Sequence, residues 1–234
     1  MMLPYPVKAV VFDMDGLLFD TESLYERAIL GAARELGCDM SVEVFHRFVG
    51  TPWQTNRRVM IEHYGESYPV DALRTAWMRH FGVLVEDGLE LKAGVIELLE
   101  LLDRIGLPRA IATSSSHDTV RRHLGKHGLA ERFHAVVAAG DYANSKPAPD
   151  PFLQAAARLA VEPRHCLALE DSHNGIRSAS AAGMMAVMVP DLVAPTDEIM
   201  ALCSVVRSLH DVQPLLPSAD DLQQADPGTM LKPK

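Results

Sequence analysis

Cysteine is scarce in this chain of 234 residues: there are three, Cys38, Cys166 and Cys203, far apart and in no C-x-x-C pair. An odd, scattered set excludes a disulfide framework and a thiolate zinc cluster and fits a reducing compartment; the three read as small apolar fillers. Long apolar runs are missing too. None reaches about 18 residues, so no membrane-spanning helix is expected. The first eight residues lack a basic segment followed by an apolar run, so no secretory signal is expected and a cytoplasmic location is the default. Positive charge is in deficit, with 22 Lys and Arg against 31 Asp and Glu and a formal charge of −9. Nucleic-acid and anionic-membrane surfaces need a cationic footprint, so neither partner is expected. A small anionic substrate in one local pocket stays open.

What is present is ordinary globular usage, 48% apolar and 23% charged, enough for one large domain or one domain plus a smaller one. Ala9-Val-Val-Phe12 reads as a strand covered on both faces, ending abruptly in Asp13-Met-Asp-Gly16. From about Thr21 to Val85 the spacing is helical. Leu24, Ala28, Ile29, Ala32 and Leu36 share a face, Gly37 stops the run, and Thr51-Pro52 reads as an N-cap before further helices at Trp53 to Tyr64 and Val70 to Val85. After Gly94 the pattern alternates. Helices are predicted at 95–105, 120–127, 151–160 and 176–182, and strands at 109–113, 135–139, 166–169, 186–189 and 204–207. Strand–helix alternation implies right-handed βαβ units and a parallel sheet. The fold class is α/β: a doubly wound, Rossmann-like domain over residues 1–19 and 91–217, with an all-helical domain, 20–90, inserted after the first strand. Residues 218–234, polar with scattered Pro and Gly, read as a loose tail.

In open parallel sheets, ligands bind beyond the carboxyl ends of the strands. Strand one delivers Asp13 and Asp15, strand two Thr113-Ser114-Ser115-Ser116, the strand at Val136 Lys146-Pro147, and the strand at Leu167 Glu170-Asp171. Gathered carboxylates are costly unless a cation neutralises them; Mg2+ suits a few carboxylates, waters and a phosphate. Ser114 and neighbouring amides can donate to phosphate oxygens, and Lys146 supplies a point charge. One aspartate could attack phosphorus while another, two residues on, moves a proton to the leaving oxygen. Alone, each piece has a plainer reading: a turn or calcium loop, a helix N-cap, a surface turn, a second cap. Their order at successive strand ends makes the set specific.

Phe12-Asp-Met-Asp-Gly-Leu-Leu-Phe-Asp-Thr21, Thr113-Ser114, Lys146-Pro-Ala-Pro-Asp150 and Leu169-Glu-Asp-Ser-His-Asn-Gly175 resemble the four signature motifs of the haloacid dehalogenase superfamily. The resemblance covers about Val7 to Leu209. It is nearest to the β-phosphoglucomutase-like and sugar-phosphate phosphatase branch, which carries a helical cap after the first motif; Val187-Met-Val-Pro-Asp191 is also typical there. The resemblance implies Asp13 as the nucleophile forming an aspartyl-phosphate and Asp15 as general acid/base with its carbonyl on Mg2+. It implies Ser114, Ser115 and Lys146 as phosphate-holding residues, and Glu170 and Asp171, with Asp13, as metal ligands.

Asp15 and the Glu170-Asp171 pair speak against a dehalogenase. No lysine lies between Lys8 and Lys92, which removes the Schiff-base lysine of phosphonatases. Where β-phosphoglucomutases carry a cap arginine and a histidine, this chain has Gly50-Thr-Pro-Trp53 and Tyr25. A Mg2+-dependent phosphatase for a small phosphorylated metabolite, a sugar phosphate, is therefore favoured over the mutase. A non-catalytic receiver-like phosphate or metal module has no reason for a helical insertion. Gly50, Thr51 and Trp53 are the expected cap specificity residues, with packing inside the cap the alternative for Trp53. His123 and His127 have metal-ligand spacing but no acidic or cysteine partner in sequence, so a solvated helix face is expected. A monomer is expected.

Overall fold

The computed structural model describes residues 3–49, 51 and 53–217. In chain order these form β1 (Ala9–Phe12), α1 (Thr21–Leu36), α2 (Val42–His46), α3 (Trp53–Tyr64), α4 (Val70–Gly88) and α5 (Val95–Ile105). Next come β2 (Arg109–Ser116), α6 (His117–Lys126), β3 (Ala135–Ala139), α7 (Asp150–Leu159), β4 (Cys166–Glu170), α8 (His173–Ala181), β5 (Met185–Met188), α9 (Asp197–Met200) and β6 (Ser204–Val205). The strands make one parallel sheet in the order β3-β2-β1-β4-β5-β6. The doubly wound α/β class is therefore as expected, and β1 lies centrally, with the chain running outward on either side of it. That reversal leaves a crevice at the carboxyl ends of β1 and β4, where ligands of such sheets bind.

Alternate residues of β1 face opposite layers. Val10 and Phe12 join a core of large side chains, among them Leu98, Leu99, Leu102, Leu167 and Leu169. Ala9 and Val11 face a layer rich in small ones, with Ala110, Ala112, Ala155, Ala168 and Ala179 around Phe152 and Ile176. Small side chains allow α7 and α8 to approach the sheet closely. A third cluster, including Ala28, Ile29, Phe45, Phe48, Met60, Leu73 and Trp77, gives the helices between β1 and α5 a core of their own. The short α2 was not foreseen. It is capped by Ser41, whose hydroxyl accepts from the Val44 amide at 3.2 Å, but five residues are too few to show a helical period.

The two stretches of chain that join this helical block to the sheet run side by side. The Asp20 amide donates to the Glu90 carbonyl at 2.9 Å and the Lys92 amide to the Leu18 carbonyl at 3.0 Å. Helix α6 covers them, and this corrects the solvated face expected for its histidines. His123 is buried with its ring 5.6 Å from that of Phe19, and His127 lies 5.5 Å from Phe19 with Nε2 2.8 Å from the Leu89 carbonyl oxygen. The i, i+4 face meets the junction instead of water, a contact set by tertiary packing and invisible to periodicity.

Candidate active site

Strand register builds the site. Phe12 pairs with Ile111 on one side and Leu169 on the other, so the residues just beyond them emerge together. The Asp13 amide donates to the Leu169 carbonyl at 2.9 Å, holding the first loop against β4. Gly16 has φ +80°, a conformation a side chain would resist, and a Cβ there would collide with the Asp171 carboxylate. The chain can therefore turn back across Asp171 only with glycine at that position.

Lys146 enters from the loop after β3. Its ammonium contacts Asp13 Oδ1 at 2.5 Å, Glu170 Oε1 at 2.6 Å and the Ala112 carbonyl oxygen at 2.8 Å. The other Glu170 oxygen accepts from the amides of Asp171 and Ser172, both at 3.1 Å, and from the Ser172 hydroxyl at 3.0 Å. Glu170 is fully buried, and oxygens of Asp13, Glu170 and Asp171 lie within 4.8 Å of one another. Burial pushes the Asp13 carboxyl up to about 7, against the pull of Lys146 and with Glu170 and Asp15 adding to the rise. Burial, then Glu170 and Asp13, holds Asp171 well above the usual carboxylate range. Burial opposes the Lys146 charge, but Asp13 and Glu170 outweigh it and raise its pKa.

With all three carboxylates ionised, one ammonium leaves two negative charges uncompensated, which is why burial resists their ionisation here. Oxygen donors with that residual charge fit a hard divalent cation. Asp15 stands to one side, its Oδ2 accepting from the Ser115 hydroxyl at 2.8 Å. Ser114, near the end of β2, is the more exposed of the two serines, and its side chain hydrogen-bonds that of Tyr142. Asp13, Asp15, Ser115, Lys146, Glu170 and Asp171 thus converge at one sheet edge.

Among the segments singled out from the helical block, Gly50 and Pro52 lie outside the described residues. Thr51 donates its hydroxyl proton to the Phe48 carbonyl at 2.8 Å and is also in contact with the Asn56 side-chain amide. With Val49 it lines a cavity of about 120 Å³ whose other wall includes Ser172, His173, Asn174 and Arg177. Trp53 packs against the helical core and under the Arg74 guanidinium, 4.5 Å from the ring.

Two site neighbours escaped the sequence reading in this role. Glu22, in the first turn of α1, reads as an ordinary N-terminal helix acid, yet burial, Asp15 and Asp191 push it up to about 8. Asp191, beyond β5, looks like a loop residue but is held by Lys92 at 2.7 Å. Glu22 directly follows the first motif, and that adjacency was the available signal.

The haloacid dehalogenase-like hydrolase model matches residues 7–183. A probable pseudouridine-5'-phosphatase of Drosophila melanogaster is 36% identical over 87% of this chain and 90% of its own. Hexitol phosphatase B of Escherichia coli K12 is 32% identical over 89% and 95%. A putative β-phosphoglucomutase of Thermotoga maritima superposes with a TM-score of 0.73 at 25% identity, covering 90% of this chain and all of that one. A family model over most of the chain and relatives above 30% identity show that the chain belongs to the haloacid dehalogenase-like hydrolase family.

Proposed function

We propose that this protein is a Mg2+-dependent phosphatase for a small phosphorylated metabolite, a sugar phosphate, and that the helical block is a cap over its site. The observation that carries this is the Asp13–Lys146–Glu170–Asp171 cluster with Asp15 oriented beside it. The phosphatase names of the Drosophila and Escherichia coli relatives support the substrate class.

In this reading Asp13 attacks phosphorus and becomes an aspartyl-phosphate. Lys146 favours the ionised nucleophile against the effect of burial and faces the phosphoryl oxygens, with the Ser114 hydroxyl a further donor. Asp15, its other oxygen held by Ser115, gives a proton to the leaving oxygen. It then takes one from the water that cleaves the acyl-phosphate. Asp13, Asp171, the Asp15 carbonyl and Glu170, directly or through water, would hold Mg2+, which when bound supplies charge neutralisation at the phosphoryl oxygens. Closure of the cap excludes bulk water in the first step and admits it for the second.

Phosphate release from sugar phosphates, phosphoglycolate and nucleotides, with Mg2+ or with EDTA, tests this. At least one sugar phosphate is expected to be hydrolysed, with the rate falling to background in EDTA and returning with Mg2+. Full activity in EDTA would remove the metal role. Conversion of a hexose 1-phosphate to the 6-phosphate without free phosphate would instead identify a mutase.

The cation also predicts a pH trend in stability. The folded-state pKa values of Asp13 and Glu22 lie near 7 and 8, above ordinary carboxylate values. The folded protein therefore binds more protons than the unfolded chain between about pH 4 and pH 8, and its stability in EDTA should fall as pH rises through that window. Mg2+ at about 100 times its Kd stabilises by about 2.7 kcal/mol, a rise in Tm of about 5–10 °C for a chain of this size. Thermal unfolding from pH 5 to pH 8 should show this gain growing with pH; a gain that shrinks refutes the assignment.

A further inference from the structure

Helix α6 starts at the serines that follow β2 and finishes against the two stretches that join the helical block to the sheet. At its start Ser116 caps it, accepting from the Thr119 amide at 3.2 Å, and the adjacent Ser115 hydroxyl binds Asp15. At its last residue the Lys126 ammonium reaches the Val85 carbonyl at 2.8 Å, the Glu86 carbonyl at 3.2 Å and the Glu86 carboxylate at 2.9 Å. An ammonium has three N–H donors, and each has an acceptor here. Val85 and Glu86 lie in the last turn of α4, whose carbonyls have no partner within the helix. That turn contains no basic residue of its own, and Leu89 leaves it extended, at φ −89° and ψ 114°. Lys126 therefore supplies, from the sheet domain, the cation that a helix carboxyl end favours. His127 Nε2 lies 2.8 Å from the Leu89 carbonyl oxygen, and because a carbonyl only accepts, Nε2 carries the proton. Phe19, on the other stretch, packs on the rings of His123 and His127, and its backbone bridges to Asp15 and Leu91.

We propose, resting on the phosphatase reading, that Lys126 and His127 are positioning residues: they fix the carboxyl end of α4 on the sheet domain and so set where the cap meets the leaving group. Helix α4 has 19 residues, about 28 Å of helix, so a small tilt at its anchored end is magnified along its length. The whole block shares the tilt, because Ile29 of α1, Phe45 of α2 and Leu73 and Trp77 of α4 pack in one core. Val49 and Thr51, which face Ser172 and Arg177 across a cleft, move with it. In the same reading the phosphoryl group is gripped by sheet-domain residues alone, Asp13, Ser114 and Lys146. Loss of the anchor therefore spoils the fit around the leaving group and spares the grip on phosphate.

The test uses the Mg2+-loaded full chain, with p-nitrophenyl phosphate as substrate and inorganic phosphate as competitive inhibitor. Lys126→Met keeps an unbranched stem and removes the charge; His127→Ala removes the donor to Leu89. Each should lower kcat/KM by about 10- to 100-fold, the scale of a misplacement of about 1 Å. The Ki of phosphate should stay within about twofold, since its contacts are independent of the anchor. His127→Gln restores an N–H donor and should return kcat/KM to within about threefold of wild type. Glu86→Gln leaves both carbonyls in place and removes only an exposed charge, so it should stay within about twofold. Two variants on separate contacts guard against one of them folding poorly. Unchanged kcat/KM in both Lys126→Met and His127→Ala overturns this inference alone. A phosphate Ki that rises in step with the fall in kcat/KM also overturns it, because the two residues would then support the turn at Ser114–Ser116 and not the cap. Failure of the wild type to release phosphate from p-nitrophenyl phosphate removes the phosphatase reading and this inference with it.

Discussion

Asp13→Asn is expected to lower kcat for phosphate release by at least about 10⁴-fold, equivalent to about 5.5 kcal/mol of barrier. The amide is nearly isosteric but cannot form the acyl-phosphate, so chemistry is lost while the shape of the site is kept. Stability should change little. Lys146 retains Glu170 at 2.6 Å and the Ala112 carbonyl at 2.8 Å, and the variant no longer has to bury the Asp13 charge, which burial disfavours. Folding and catalysis can therefore be separated: thermal unfolding should be near wild type while turnover disappears. Acid quenching with a ³²P-labelled substrate reads the intermediate directly. Label should stay on the wild-type protein and be absent from the variant. Turnover by Asp13→Asn, or label on it, would place the nucleophile elsewhere.

The fold was legible because both of its periods are clean. Ala9-Val-Val-Phe12 has the continuous apolar character of a strand buried on both faces, and Val95 to Ile105 ends at Gly106, in the left-handed conformation expected of a helix stop. The residues that converge were legible because topology alone brings the carboxyl ends of parallel strands, and the loops leaving them, to one edge. Side-chain partnership was not. Ser114 and Ser115 are indistinguishable in sequence, yet the alternating directions of an extended strand leave Ser114 exposed and turn Ser115 onto Asp15. His123 and His127 looked solvated because a helix period does not report what an inserted block brings back over it. Glu22 and Asp191 were hidden for the same reason: they approach one another only when the start of α1 and the loop beyond β5 meet across the junction.

Gly175→Ala is expected to cost about 1–3 kcal/mol of stability and to impair activity about 100-fold, although alanine in place of glycine inside a helix ordinarily gains up to about 1 kcal/mol. The reversal comes from the close approach of α8 to the sheet. A Cβ at residue 175 would fall within the Glu170 carboxylate. That carboxylate is pinned on one side by Lys146 and on the other by the Asp171 and Ser172 amides. If Glu170 swings aside, it leaves a buried charge without its partner, a loss of about 3–5 kcal/mol. If α8 retreats, the packing of Ile176 and Ala179 against β4 opens, at about 1–3 kcal/mol, and Asp171 and Ser172 move with the helix. Either relief displaces the acidic cluster, so stability and catalysis should fall together. A double-mutant cycle with Glu170→Ala, read by urea unfolding, identifies the cause. With the carboxylate gone, the added methyl has room, and Gly175→Ala should cost less than about 1 kcal/mol in that background. An equal cost in both backgrounds would mean that the glycine serves the helix backbone alone, independent of the carboxylate beneath it.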